Sequence, residues 1–165
     1  MNKAIPKKLI PVWVDHNNKF QKIKDYYVHE DTGDVYSCKQ GKKFAKLKSN
    51  KKKYRKNKYP SQVLIDTIIF NNLFDCGKAL DIHRILKTSY IFHHNTLVEE
   101  LIKAYPHIPA KDIKALPRLI QEELYRGLRV NHIDHDKINH KRENLELTTA
   151  QGNTTAYNKH RKKSL

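Results

Sequence analysis

The residue types that can do chemistry crowd into residues 128–153, where His132, His135 and His140 alternate with Asp134 and Asp136 and with amides at Asn131, Asn139, Asn144 and Asn153. Residues 128–133 suit a short strand ending at His132. Residues 134–143 are polar and turn-forming, as a loop would be, and Leu145-Glu-Leu147 alternates as a second strand. Thr149 suits the N-cap of a helix running toward Lys159. Strand, loop, strand, helix brings an imidazole at a strand end opposite a side-chain oxygen on the first turns of a helix. Metal-assisted phosphodiester cleavage needs that pairing: a neutral imidazole takes the proton from an attacking water, and a hard divalent cation offsets charge on the phosphate. Such an ion keeps several waters, so two protein oxygens suffice to hold it.

The rest of the chain must position this stretch. At 165 residues it is one domain, or one small catalytic unit with an appended segment. Its 33 Lys and Arg against 17 Asp and Glu leave a formal charge of +16. An excess that large calls for a polyanionic partner, because each neutralised phosphate releases a condensed counterion. A stretch of about 18 apolar residues is lacking, as is a signal-peptide pattern, so a soluble cytoplasmic protein without membrane contact is expected. Cys38 and Cys76 are too few and too far apart for a zinc ribbon or a disulfide framework, and both are expected as thiols.

Three segments are expected in an α+β chain. Residues 1–60 form a basic, β-rich segment: the run from Leu9 to Val14, interrupted by Pro11, suits an edge strand, and Glu30-Asp-Thr-Gly33 suits a hairpin turn with Gly33 at positive φ. Ten of the seventeen residues from Lys42 to Lys58 are Lys or Arg, interleaved with Phe44, Leu47 and Tyr54. A solvated charge run is the plain alternative; the interleaved apolar residues favour an arm on DNA, with Lys42, Lys43, Lys46, Lys48, Lys51, Lys52, Lys53 and Arg55 as phosphate contacts. Residues 61–127 read mainly as helix. Val63 to Phe70 begins either a helix or a buried strand. Thr96-Leu-Val-Glu99 fits a capping box before an apolar face of Leu97, Val98, Leu101, Ile102 and Tyr105. A further helix starts at Pro117, with Leu119, Ile120 and Leu124 on one side and Gly127 as a left-handed C-cap. Residues 128–165 close the chain, and Lys159 and Arg161 in the basic tail add two expected nucleic-acid contacts.

Asn131-His132, Asp134, Asn139, Asn144-Leu145 and Asn153 resemble the DH-x-D-G/N-x(3-4)-N-x(4-5)-NL-x(7-8)-N signature of HNH homing endonucleases of the phage and intron type. Upstream, Tyr27-Val-His-Glu-Asp-Thr-Gly-Asp-Val-Tyr-Ser37 with Leu47-Lys48 is similar to the β-rich segment that often precedes the nuclease core in this family. The resemblance implies a C-terminal ββα-metal (His-Me finger) module that hydrolyses one strand of duplex DNA, as a monomer or weak dimer. It implies His132 as general base, Asn131 and Asn153 as ligands of one Mg²⁺ or Mn²⁺, and Asn144 as the residue that braces the loop and orients the histidine. The family more often has aspartate where Asn131 stands, and Gly or Asn where His135 stands. A neutral amide at 131 should weaken metal binding, with Asp134 or Asp136 placed to compensate.

Two other functions fit the same residues: a DNA-binding protein that kept the nuclease fold without its chemistry, and an RNA-binding module resting on the Lys and Tyr content of residues 42–59. His135 and His140 read as bystanders or phosphate contacts, and His93-His94 as a surface pair. Residues 71–127 lie outside the resemblance. Lys78, His83, Arg84 and Lys87 cluster there, either on a DNA-reading helix or in a subdomain that completes the core.

Overall fold

The computed structural model describes residues 5–16, 18–38, 43–47, 62–65, 78–136 and 139–163 and shows a mixed α+β protein. Strands β1 (Leu9–His16), β2 (Lys19–His29), β3 (Val35–Ser37) and β4 (Ala45–Lys46) form one antiparallel sheet in that order. Pro11 sits in β1, at the edge of the sheet, where its missing N–H costs no ladder bond. The register there is interrupted: Pro11 pairs with Tyr27 but Trp13 with Lys22, so four residues of β2 stand opposite Val12 alone. Asp25 takes up the excess with a φ of 63°. This bulge resets the alternation so that Ile23, Tyr26 and Val28 are all buried. The β2–β3 turn has Gly33 at φ 75°, as its place in the turn anticipates.

Strands β5 (Gln62–Ile65) and β6 (Lys78–Asp81) pair antiparallel, so the segment read mainly as helix opens on a strand. Helices α1 (Ile82–His94), α2 (Leu97–Ala104), α3 (Ala110–Ala115) and α4 (Arg118–Gly127) follow. Strands β7 (Arg129–His132) and β8 (Leu145–Thr148), joined through a 3-10 turn at Arg142–Asn144, and helix α5 (Ala150–Lys163) complete the chain. Among the described residues no helix is long and apolar enough to cross a membrane.

Three local expectations fail for identifiable reasons. Thr96 does not cap α2: its hydroxyl makes no cap bond and lies buried without a hydrogen-bond partner. Its backbone serves both helices: Asn95 turns left-handed at φ 55°, the Thr96 N–H donates to Ile91 O at 3.0 Å to end α1, and the Thr96 carbonyl accepts from the Glu100 N–H at 3.1 Å to open α2. Gly127 is not a left-handed cap. Instead α4 stops because Leu128 swings extended into β7, its N–H donating to Tyr125 O. Leu119 and Ile120 are 69% and 44% exposed, and α4 turns Gln121, Leu124 and Tyr125 inward. Gln121 is drawn in because its Nε2 donates to the carbonyls of Ile113 and Leu116 at the end of α3.

Two apolar clusters form the core. One joins β1 and β2 to Ile82, Ile85 and Leu86 of α1 and to Leu145; the other joins Ile91, Leu97, Leu101, Ile113 and Tyr125 to Leu128 and Leu147. Alternate residues of β8 therefore enter different clusters, with Glu146 exposed between them. The β7–β8 pair is thus anchored on both sides of the core and forms a rigid base for the residues at its ends.

Candidate active site

His132 ends β7, pairs in register with Leu145, and is 7% exposed. The chain then leaves the sheet in a loop whose conformation is fixed by Asn144. Asn144 Oδ1 accepts from the Asp134 N–H at 3.0 Å, while its Nδ2 donates to Asp134 Oδ1 at 2.8 Å and to Asn139 O at 2.9 Å. The Ile133 N–H donates to Asn144 O at 2.9 Å, closing the loop immediately beside His132. Asp134 is the second node. The Asn139 amide on its Oδ2 (2.6 Å), with the Asp136 N–H and the Asn144 amide on Oδ1, holds its carboxyl below the ordinary carboxylate value. Asn144 and Asp134 thus define the loop.

The upstream hairpin braces this loop from outside. The Arg142 N–H donates to Asp31 O at 2.8 Å, and Asp31 also pairs with Lys8. Gly33 packs so closely that a Cβ there would come within 3.1 Å of His140 Cβ. The Asp-Thr-Gly turn and the nuclease-like stretch, which the motifs place far apart in sequence, are therefore in direct contact.

Asn131 lies opposite Glu146 in the β7–β8 register, and its Nδ2 donates to Glu146 Oε1 at 2.8 Å. With the amide nitrogen engaged, the carbonyl oxygen is the end left for a cation, and a carboxylate stands beside it. Asn153 occupies the first turn of α5, half-buried, its N–H donating to Thr149 O. Thr149 caps the helix through Oγ1, which accepts from the Gly152 N–H at 3.1 Å. α5 lies so close to β8 that a Cβ on Gly152 would collide with Thr148 Oγ1. The described hydrogen bonds do not join Asn131 to Asn153; the two are related through α5 packing on β7 and β8.

Two histidines missing from the sequence-predicted site stand beside His132. His140 Nδ1 lies 3.5 Å from His132 Nε2, and His83, on the first turn of α1, has its ring centroid 5.2 Å from that of His132. His83 is brought there by its neighbour: Arg84 donates to Leu128 O and Tyr125 O, just before β7, and lies over the Tyr125 ring. The sequence signal available was only the cluster of Lys78, His83, Arg84 and Lys87; Lys87 itself is buried against Glu100.

Of the expected phosphate contacts, Lys43 is exposed before β4, and Lys46, exposed in β4, pairs with Asp34 at 2.8 Å. Lys159 is exposed on α5, and Arg161 belongs to the last turn of that helix. Lys42, Lys48, Lys51, Lys52, Lys53, Arg55 and Cys76 lie outside the described residues. The chain matches no protein-family model, no curated protein and no solved structure.

Proposed function

We propose that the chain is a metal-dependent HNH-type endonuclease that hydrolyses phosphodiester bonds of duplex DNA, nicking one strand per site. The observation that carries this reading is His132 at the end of β7, opposite the start of β8 and beside a loop locked by Asn144, with α5 packed on the same strand pair. Strand, loop, strand and helix occur in the order that the motif implies, and the loop-bracing role fits the three side-chain hydrogen bonds of Asn144.

His132 takes the proton from the attacking water. Its placement at a strand end, with little freedom to move, keeps the ring oriented without cost at the moment of reaction. Asn144 and Asp134 hold the loop that carries the chain away from His132. The carbonyl oxygens of Asn131 and Asn153, with Glu146 beside Asn131, would hold Mg²⁺ or Mn²⁺, the hard ions that oxygen donors suit. When bound, such an ion supplies positive charge beside the scissile phosphate and the leaving oxygen. Lys43, Lys159 and the basic residues between 42 and 58 supply the sequence-independent attraction to DNA.

A single catalytic centre attacks one phosphodiester, so a supercoiled plasmid becomes an open circle. The test is that conversion in Mg²⁺, Mn²⁺ and EDTA, for the wild type and His132→Ala. Nicking that disappears with chelation and with the substitution supports the reading. A plasmid left intact in every metal, with DNA retardation equal for both proteins, supports the second reading, a DNA-binding protein without the chemistry. The neutral Asn131, hydrogen-bonded to Glu146, is the observation that favours it.

A further inference from the structure

The geometry points to a second metal site, made of the imidazoles of His83, His132 and His140, that takes a borderline transition ion such as Zn²⁺ or Co²⁺ and, when filled, withdraws His132 from its role as base. The regulatory half of this inference rests on the nuclease reading; the binding half does not.

One ring nitrogen from each of the three residues falls within 4.8 Å of the others. The closest pair, His132 Nε2 and His140 Nδ1, is 3.5 Å apart. Two nitrogens bound at about 2.0–2.1 Å to one tetrahedral ion are about 3.3–3.4 Å apart, so this pair already has the spacing of a shared ion. The ring centroids are separated by 5.2, 5.6 and 6.2 Å. Three imidazoles around one tetrahedral zinc place their centroids about 5.2 Å apart, so His83 and His132 already stand at that spacing, while His132 and His140 must approach by about 0.4 Å and His83 and His140 by about 1 Å.

The three ligands come from three separately anchored pieces of structure. His132 is fixed by the β7–β8 ladder, His83 by α1 and the Arg84 bonds to Tyr125 O and Leu128 O, and His140 by the Gly33 turn pressed against its Cβ. Ligands held from three directions do not need a long flexible loop to close on the ion, which lowers the ordering cost of binding. Three neutral nitrogens suit Zn²⁺ and Co²⁺ and suit Mg²⁺ poorly. Three protein ligands leave a fourth position for water. A nitrogen lone pair donated to an ion cannot accept a proton from water, so occupancy opposes base catalysis directly.

The experiment uses the full chain in three parts. Equilibrium dialysis against Zn²⁺ should give one tightly held ion per chain, and Co²⁺ should give the intense visible bands of a tetrahedral nitrogen site. His83→Ala and His140→Ala should each weaken binding at least 100-fold, while His107→Ala, a change outside the cluster, should not. His83→Gln replaces His83→Ala if circular dichroism shows that the alanine variant is unfolded. In the wild type, long-range ¹H–¹⁵N spectra with Zn²⁺ should move three imidazoles together, a readout that needs no variant. Absence of Zn²⁺ binding at micromolar concentration, or full binding by a folded His83 variant, overturns the site. Finally, Zn²⁺ should suppress Mg²⁺-supported nicking in the wild type and leave most of the nicking that His140→Ala itself retains. Zn²⁺ binding with no nicking under any condition refutes the nuclease reading and leaves the metal site standing. Nicking indifferent to bound Zn²⁺ refutes the regulatory half.

Discussion

Replacing Asn144 with alanine should loosen the loop that follows His132, and the size of the effect can be worked from its bonds. Asn144 is 7% exposed and makes three side-chain hydrogen bonds. The bonds from the Asp134 N–H and to Asn139 O are neutral backbone pairs, each contributing about 1 kcal/mol net. The third meets a water-exposed carboxylate and is assigned nothing. The sum is a loss of about 2 kcal/mol, or a fall in Tm of about 4–8 °C for a chain of this size. Plasmid nicking should fall about 10- to 100-fold, as expected when a residue orients the group that reacts. Calorimetry gives the first quantity and gel densitometry the second. Asn144→Asp is the sharper comparison: it keeps the acceptor for the Asp134 N–H but sets a second carboxylate against Asp134. That new carboxyl is raised in the folded state, so Asn144→Asp should recover stability relative to Asn144→Ala as pH falls through the carboxylate range. A change in Tm below about 1 °C for Asn144→Ala, with nicking intact, would refute the bracing role and the estimate built on it.

Gly33→Ala places a side chain at φ 75° and against His140; it should cost about 1–2 kcal/mol in calorimetry and weaken Zn²⁺ binding in dialysis. Thr149→Ala removes the cap bond to the Gly152 N–H and should lower Tm by about 2–4 °C, from the roughly 1 kcal/mol that such a cap contributes. Asn131→Asp adds charge to the oxygen donor set, so half-maximal nicking should need less Mg²⁺; an unchanged or weaker Mg²⁺ response would argue against Asn131 as a ligand. The Asp134 carboxyl is depressed by the Asn139 amide, so its contribution to stability is present above the ordinary carboxylate value and lost as pH falls through the lower folded value. A carboxyl-carbon NMR titration should show that low value, and Asn139→Ala should move it upward.

The strand order around the site was legible because each element there is written in short-range pattern. Leu145 and Leu147 alternate with exposed Glu146, Thr149 precedes a helix as a cap, and Gly33 stands where a turn needs positive φ. The helical middle was read less well, for a physical reason. Sequence periodicity identifies an apolar stripe but not which stripe the fold uses. In α4 the unsatisfied carbonyls at the end of α3 drew Gln121 inward and left Leu119 and Ile120 exposed. Thr96 stands at the N-cap of α2 yet does not cap with its side chain: its backbone joins the two helices, the N–H closing α1 and the carbonyl accepting from the Glu100 N–H of α2. The His83 contact was invisible because nothing local marks it: the residue reaches His132 only through α1 packing on the strand pair.

The proposed oxygen donors and the three imidazoles are different residues, which gives metal identity a consequence. In the proposed assignment, the amide oxygens of Asn131 and Asn153, together with Glu146, would hold a hard ion that leaves His132 unligated and able to take a proton. The imidazoles of His83 and His140 stand beside His132 itself, and in the proposed nitrogen site a softer ion drawn to them takes that base as its third ligand. In this assignment the two ions share no ligand, and the softer one interferes only by taking the base that the chemistry at the oxygen site needs. Adding Mg²⁺ should relieve Zn²⁺ inhibition poorly, because raising Mg²⁺ fills the oxygen site and returns no lone pair to His132. A chelator selective for Zn²⁺ should relieve it fully at constant Mg²⁺. Simple displacement of Zn²⁺ by excess Mg²⁺ would mean that both ions use one site, and the separation of donors inferred from Asn131, Glu146 and the three histidines would fall.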